Sequence, residues 1–182
     1  ILKSLKPGTG RCAILFPHGV LFRGEEKDMR EKLVQHDLVE CVIGIGKNLF
    51  YNSPMEACIV ICNTNKPAAR RGKVLFINAK NEVTRKNSQS YLEEEHIAKI
   101  AGAYTDYATI DGFSAVATID EIAANESKLS IALYVRKTGG GEEINIDDAI
   151  DAWKTSATTV RMEYEKLNQL IKAGENDEAG DY

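Results

Sequence analysis

A chain of 182 residues that is 43% hydrophobic and 27% charged can bury one sizeable core with a small appendage, and its composition is ordinary for a soluble globular protein. The formal charge of -4 argues against a wholesale nucleic-acid coat while leaving room for a local basic face. No apolar run approaches the roughly 20 residues that span a bilayer, and no signal-peptide layout opens the chain, so no membrane contact is expected.

In chain order, Ile1 to Leu5 reads as the last turns of a helix stopped by Lys6-Pro7-Gly8, and without an initiating Met the chain is expected to begin inside a domain. Arg11 to Phe16 (RCAILF) is an apolar run of strand length that ends at the turn Pro17-His18-Gly19. Gly24 to His36 places Met29, Leu33 and Val34 at helical spacing among charged residues, an amphipathic crossover into the next strand. Strand, helix, strand predicts a sheet that is at least partly parallel there.

The stretch that organises the chain follows, VECVIGIGKNLFYNSPMEACIVICN from Val39 to Asn63. Its two apolar runs, Val39 to Ile45 and Ala57 to Cys62, show little polar alternation, as expected of strands covered on both faces. The loop between them has no helical pattern, so it suits antiparallel neighbours. It carries Leu49, Phe50 and Tyr51, which either plug the sheet end or face a ligand. The cysteines Cys12, Cys41, Cys58 and Cys62 lie inside strand-like runs and form no CxxC pair, so they read as buried thiols of a reducing, cytoplasmic protein, and no metal site is expected.

A turn-rich basic connection, Asn63 to Gly72, leads to the strand run Lys73 to Asn78. Lys66, Arg70, Arg71 and Lys73 form a patch of the kind that contacts DNA phosphates; the alternative is a solvated hairpin tip. Ser90-Tyr91-Leu92-Glu93 has the form of a capping box opening a helix to about Tyr104, with Ile97, Ile100, Ala101 and Tyr104 as its apolar stripe. A second box, Thr118 to Glu121, follows the run Phe113 to Ala117, and Leu129 to Val135 (LSIALYV) reads as a further strand. Gly139-Gly140-Gly141 marks a flexible joint. Beyond it, Ile146, Ile150, Trp153, Ala157, Val160, Tyr164, Leu167 and Ile171 recur at spacings of four and three, a heptad seam that suits a partner helix or a dock on the chain's own domain. Gly174 to Tyr182 is acidic and expected to lack structure.

Gly8-Thr9-Gly10 and Gly44-Ile45-Gly46 are half-fingerprints without the third glycine and helix of a dinucleotide site. No Walker loop, HExxH or GxSxG occurs, and His18, His36 and His96 are scattered, with His18 alone beside a strand end.

Gly19 to Lys80, and more weakly the segments EEEHIAKIAGAY, GFSAVATIDEIAAN and LSIALYV to about Val135, resemble the methyltransferase (M) subunit of type I DNA restriction-modification systems. The resemblance implies an α/β fold, the C-terminal half of a Rossmann-like, S-adenosylmethionine-dependent sheet over residues 1–80, with a mixed α/β extension over 81–138 and a joint, assembly helix and tail over 139–182. It implies methyl transfer to adenine N6 in DNA by the intact enzyme, in complex with specificity and restriction subunits. The family's glycine-rich cofactor motif and Asn-Pro-Pro-aromatic tetrapeptide are not in this sequence, which has no Pro-Pro, so the chain by itself is expected neither to bind S-adenosylmethionine tightly nor to methylate, and no catalytic residue is assigned. Phe50 matches the family's aromatic base wall, with Tyr51 as the neighbouring alternative and a sheet-end plug as the other use of the ring. The assembly helix carries Ile150, Trp153, Val160, Tyr164, Leu167 and Ile171, through which self-association is also expected. A reading from another class is a non-catalytic assembly module whose loop and tail bind partners only.

Overall fold

The computed structural model describes residues 4–51, 53–87, 89–137 and 146–178, with the side chains of 150, 151 and 153–168 in the last stretch. The elements in chain order are β1 (Arg11–Pro17), α1 (Lys27–Gln35), β2 (Val39–Ile45), β3 (Ala57–Asn63), β4 (Lys73–Ala79), β5 (Thr84–Lys86), β6 (Gln89–Tyr91), α2 (Glu94–Asp106), β7 (Ser114–Thr118), α3 (Ile119–Ala124), α4 (Ile131–Tyr134) and α5 (Ile146–Glu178). They divide into two units, residues 1–138 and 139–182.

In the first unit five strands form one sheet in the order β1-β3-β2-β4-β7, and β5 and β6 make a separate ribbon. Alternation along the central strands explains why their sequences are apolar throughout: Val42, Val74 and Phe76 enter one core while Cys41, Ile43, Leu75 and Ile77 enter the other. Leu33 and Val34 of α1, Ile122 of α3 and Ile131 of α4 cover the first face, and Ile100, Ala103 and Tyr104 of α2 cover the second. Phe76 stacks on Tyr134 with ring centroids 4.1 Å apart. Sites on both sides of position 80 share this sheet, since β7 pairs with β4.

The sheet is mostly antiparallel, and its parallel pair is not the expected one. β3 lies between β1 and β2, antiparallel to each, so those two strands run the same way without touching, and the parallel neighbour of β2 is β4. Three local expectations also change. The run at Leu129 contains the short helix α4, whose Ile131 packs against Gly44 so closely that a Cβ there would stand 2.6 Å from Ile131 Cδ1. Ser90 is buried in β6, and α2 begins after Glu93, which shares a reciprocal cap with His96. Ile97 consequently faces solvent, and the buried stripe is Ile100, Ala103, Tyr104 and Tyr107. The Thr118–Glu121 box caps α3 as read, with Glu121 N donating to Thr118 Oγ1 at 3.2 Å and Thr118 N donating to the Glu121 carboxylate at 2.7 Å.

In the second unit α5 runs to Glu178, through the start of the stretch expected to lack structure. The Gly139–Gly141 joint lies outside the described residues. No helix among the described residues is long and apolar enough to cross a membrane.

Candidate functional site at the strand-end edge

Because β1, β2 and β4 point the same way, their last residues, Pro17, Ile45 and Ala79, meet at one edge, where β3 begins at Ala57. In open α/β sheets this edge, outside the carboxyl ends of the parallel strands, is where ligands bind. The connections that build it are the turn after β1, the aromatic loop after β2 and the loop after β4. His18 N donates to Glu56 O at 3.2 Å and ties the first of these to the second. Gly46 is required by the third: a Cβ on it would stand 2.7 Å from Lys80 O and 2.8 Å from Val83.

The aromatic loop divides its three large residues among three environments. Leu49 packs on the sheet and serves as the plug. Phe50, 37% exposed and held in a tight turn by Ser53 N donating to its carbonyl at 3.1 Å, walls a cleft of about 170 Å³ with Leu15, Phe16, Pro17, Ser53, Met55 and Ala57. Tyr51 is 85% exposed. A second, more open notch of about 440 Å³ shares Pro17, Met55 and Glu56 with the first and adds His18, Gly19, Arg23, Lys47 and Pro54.

Charges around this edge are organised by Glu56, which receives Lys80 Nζ at 2.7 Å and Lys47 Nζ at 3.6 Å. The bond from Lys80 holds the Glu56 carboxyl below the usual carboxylate range. Burial, and next the Lys80 charge, push His18 below the ordinary imidazole value, and its Nε2 is buried with no hydrogen-bond partner among the described residues. The edge thus offers an aromatic wall beside a cationic notch. It offers no activated nucleophile: burial pushes the thiols of Cys58 to about 11 and Cys62 to about 12, and Cys41 higher still. No metal-holding cluster of His, Cys, Asp and Glu occurs among the described residues.

The basic connection lies at the other edge, before β4, about 20 Å away along seven-residue strands rising about 3.3 Å per residue. Its first two cations are not a free patch. Lys66, 3% exposed, is ion-paired with Asp37 and donates to Lys73 O at 2.8 Å. Arg70 donates to Glu40 Oε1 at 3.1 Å and to the carbonyls of Tyr104 and Thr105, and lies over the Tyr104 and Tyr107 rings. Both are thus held by partners within the fold, Lys66 by Asp37 and Arg70 by Glu40. Arg71 and Lys73 keep exposed side chains, Arg71 Nε donating to Lys66 O at 3.2 Å. Of the α5 seam, Ile150, Trp153, Val160, Tyr164 and Leu167 are between 42% and 71% exposed, and the Ile171 side chain is outside the described residues.

A mixed sheet with an aromatic loop and a cationic notch at its strand-end edge defines an α/β unit with a candidate binding edge, and comparison with known proteins gives its family. The chain belongs to the N-6 DNA Methylase family, whose model matches residues 1–143. It is similar to the type I restriction enzyme MjaVIII methylase subunit of Methanocaldococcus jannaschii, 37% identical over an alignment of 173 residues that covers 89% of this chain and 30% of that protein. Among solved structures it is similar to the type I restriction-modification system methyltransferase subunit from Streptococcus thermophilus, with TM-score 0.69, 35% identity, 74% of this chain covered and 28% of that one. A chain from a structure of type I restriction-modification assembly matches all of this chain and 39% of its own length at TM-score 0.57 and 18% identity, a likeness of fold. The chain therefore spans about 30% of the length of the curated relatives it matches.

The glycine pair that approaches the fingerprint is filled by the protein itself, Gly44 by Ile131 and Gly46 by Lys80 and Val83.

Proposed function

We propose that this chain is the part of an adenine-specific DNA methyltransferase subunit of a type I restriction-modification system that completes the Rossmann-like sheet and supplies one wall of the target-base pocket. The observation that carries this reading is Phe50, standing half-exposed beside an open cleft while its neighbour Leu49 does the plugging. A ring so placed can stack on an adenine drawn out of the duplex, because stacking needs one free face and a rigid backbone behind it. Tyr51, free in solvent, is the second ring within reach of the same base.

In this reading the cofactor and the acceptors of the adenine amino group come from other parts of the intact enzyme, which transfers the methyl group from S-adenosylmethionine to N6. Residues 1–80 belong to the catalytic domain, 81–138 to a family extension and 139–182 to an assembly element. The exposed apolar row of α5 pairs with a helix of the specificity subunit, in a cytoplasmic complex that includes the restriction subunit, or with a second copy when that partner is missing. DNA is the substrate, and Arg71 and Lys73 are the residues of the basic connection still able to meet a phosphate.

The test is transfer of labelled methyl groups from S-adenosylmethionine to duplex DNA by the full-length parent subunit with its specificity partner, followed by nucleoside analysis. Label in N6-methyladenine supports the reading, and label in cytosine or no label refutes it. Calorimetry of this chain alone with S-adenosylmethionine is expected to give no heat of micromolar binding. The apolar row of α5 also suits a non-catalytic assembly module; such a protein would bind its partner and transfer no methyl group.

A further inference from the structure

The notch beside the aromatic cleft contains a cation that pairs with none of the described residues. Arg23 lines it, and its guanidinium has no hydrogen-bond or ion-pair partner among the described residues. The loop that carries it is nevertheless fixed. The guanidinium lies over Gly19 so closely that a Cβ there would stand 2.4 Å from Arg23 Nε, so this glycine leaves the space the side chain occupies. Its backbone is fixed by two further bonds: Arg23 N donates to Gly19 O at 3.0 Å, and Arg30 Nη1 donates to Arg23 O at 2.8 Å.

Arg30 is 2% exposed and directs its guanidinium at three carbonyls, those of Val20, Arg23 and Ser127, at 2.9, 2.8 and 3.2 Å. A buried arginine that binds loop carbonyls rather than a carboxylate is a device for holding a loop in one shape, since those carbonyls would otherwise be unsatisfied. The loop it holds presents Arg23. Lys47 also lines the notch, and its partner Glu56 is shared with Lys80, so the lining sets Arg23 and Lys47 against one carboxylate that is already paired, and the notch is net positive.

We propose that Arg23 and Lys47 bind a phosphodiester of the target strand next to the adenine that stacks on Phe50. The proposal rests on the base-wall reading above for the identity of the polymer. A phosphodiester suits the notch because the notch adjoins the Phe50 cleft through Pro17, Met55 and Glu56, and a base drawn into that cleft carries its own backbone to the rim. Arginine's fork matches two phosphate oxygens, while lysine adds a point charge. This moves the expected phosphate contact from Lys66 and Arg70 to the opposite sheet edge, onto cations that no sequence pattern groups.

The experiment uses the full-length parent subunit with its specificity partner and a fluorescent duplex carrying the sequence that the complex is found to methylate. Affinity is measured against salt for wild type, Arg23→Ala, Lys47→Ala and Lys73→Ala. Arg23→Ala is expected to lower the slope of log K against log salt by about 1. Lys47→Ala is expected to lower it in the same sense, and Lys73→Ala not to move it by way of this phosphate. In duplexes with a methylphosphonate at either linkage flanking the target adenine, one of the two positions should abolish the effect of Arg23→Ala. A wild-type slope for Arg23→Ala overturns the proposal, as does an effect that persists on both methylphosphonate duplexes. A loss of S-adenosylmethionine affinity in Arg23→Ala would mean that the anion is the cofactor's carboxylate and would overturn it equally. The methylphosphonate arm does not depend on Phe50, so a Phe50→Ala enzyme that methylates normally would refute the base wall alone. Arg23 is exposed, and unchanged melting of Arg23→Ala and Arg23→Gln excludes misfolding.

Discussion

Glu40→Ala is expected to lower the stability of the sheet unit by up to about 3–5 kcal/mol, the range for breaking a buried ion pair, Glu40 being buried and its partner Arg70 partly so. Glu40, 1% exposed in β2, accepts from Asn63 Nδ2 at 3.1 Å, Arg70 Nη1 at 3.1 Å and the Tyr104 hydroxyl at 3.0 Å, with Arg11 at 3.6 Å. Truncation leaves Arg70 in place, still tied to the carbonyls of Tyr104 and Thr105 at 3.3 and 2.9 Å but without a counter-charge, and leaves the Asn63 amide without its acceptor. For a unit of this size the loss corresponds to a melting temperature roughly 10–15 °C lower. The dependence on pH has a definite sign. Desolvation raises the Glu40 pKa, but bonds from Asn63, Arg70 and Tyr104 and the Arg11 charge outweigh it, so the folded value lies below the ordinary one. A depressed carboxyl contributes fully above its unfolded value of about 4.3 and loses that contribution as pH falls through the folded value. Thermal melts of wild type, Glu40→Ala and Glu40→Gln between neutral and acid pH test this, and wild type should lose its advantage over Glu40→Gln only on the acid side. Glu40→Leu combined with Arg70→Met should recover much of the loss, because an apolar pair strands no charge. A Glu40→Ala melt within about 2 °C of wild type would refute the network's role.

Phe50→Ala in the parent enzyme is expected to weaken base binding by about 1–3 kcal/mol while the melting temperature changes little, whereas truncating a buried plug would remove about 3–5 kcal/mol of stability; a melt that falls by that larger amount sinks the base-wall role. Val160→Asp with Leu167→Asp should convert a self-associating chain to a monomer in sedimentation without lowering the melt of the sheet unit, and a wild-type monomer with an equally stable mutant would show that the apolar row of α5 pairs with nothing. Gly46→Ala should cost about 1–3 kcal/mol because its Cβ meets backbone and Val83. Gly102→Ala in α2, where a Cβ meets nothing within 4 Å, should add about 0.5–1 kcal/mol, so opposite shifts in denaturant midpoint are expected.

The middle of the sheet was legible in the sequence because β2, β3 and β4 are buried on both faces and their apolar runs admit no other use. LSIALYV around α4 looked the same, since a seven-residue apolar run has no period long enough to separate strand from helix. The insertion of β3 between β1 and β2 could not be read, because no local pattern records which strand a third one separates. The ribbon of β5 and β6 was missed for its shortness. At the site, Phe50 and Tyr51 stood out as aromatics in a turn-rich loop. The pairing of Lys66 and Arg70 within the fold left no local signal, because their partners, Asp37 and Glu40, lie 29 and 30 residues earlier in the chain. Arg23 and Lys47 carry no signal as single cations in separate loops, and only the meeting of β1 and β2 at one edge makes them neighbours.

The strand order also dictates a schedule. β1 precedes the other strands of this sheet, yet the strand it pairs with, β3, begins at Ala57, and β3 is itself wedged against β2. On a ribosome that releases the chain from its beginning, β1 therefore waits without its β3 partner while α1, β2 and the whole aromatic loop emerge. The loop that shapes the strand-end edge is thus also the hairpin connection on which housing of the first strand depends, and substitutions in it that slow closure of β2 on β3 would lengthen the time that β1 spends open to the wrong partners.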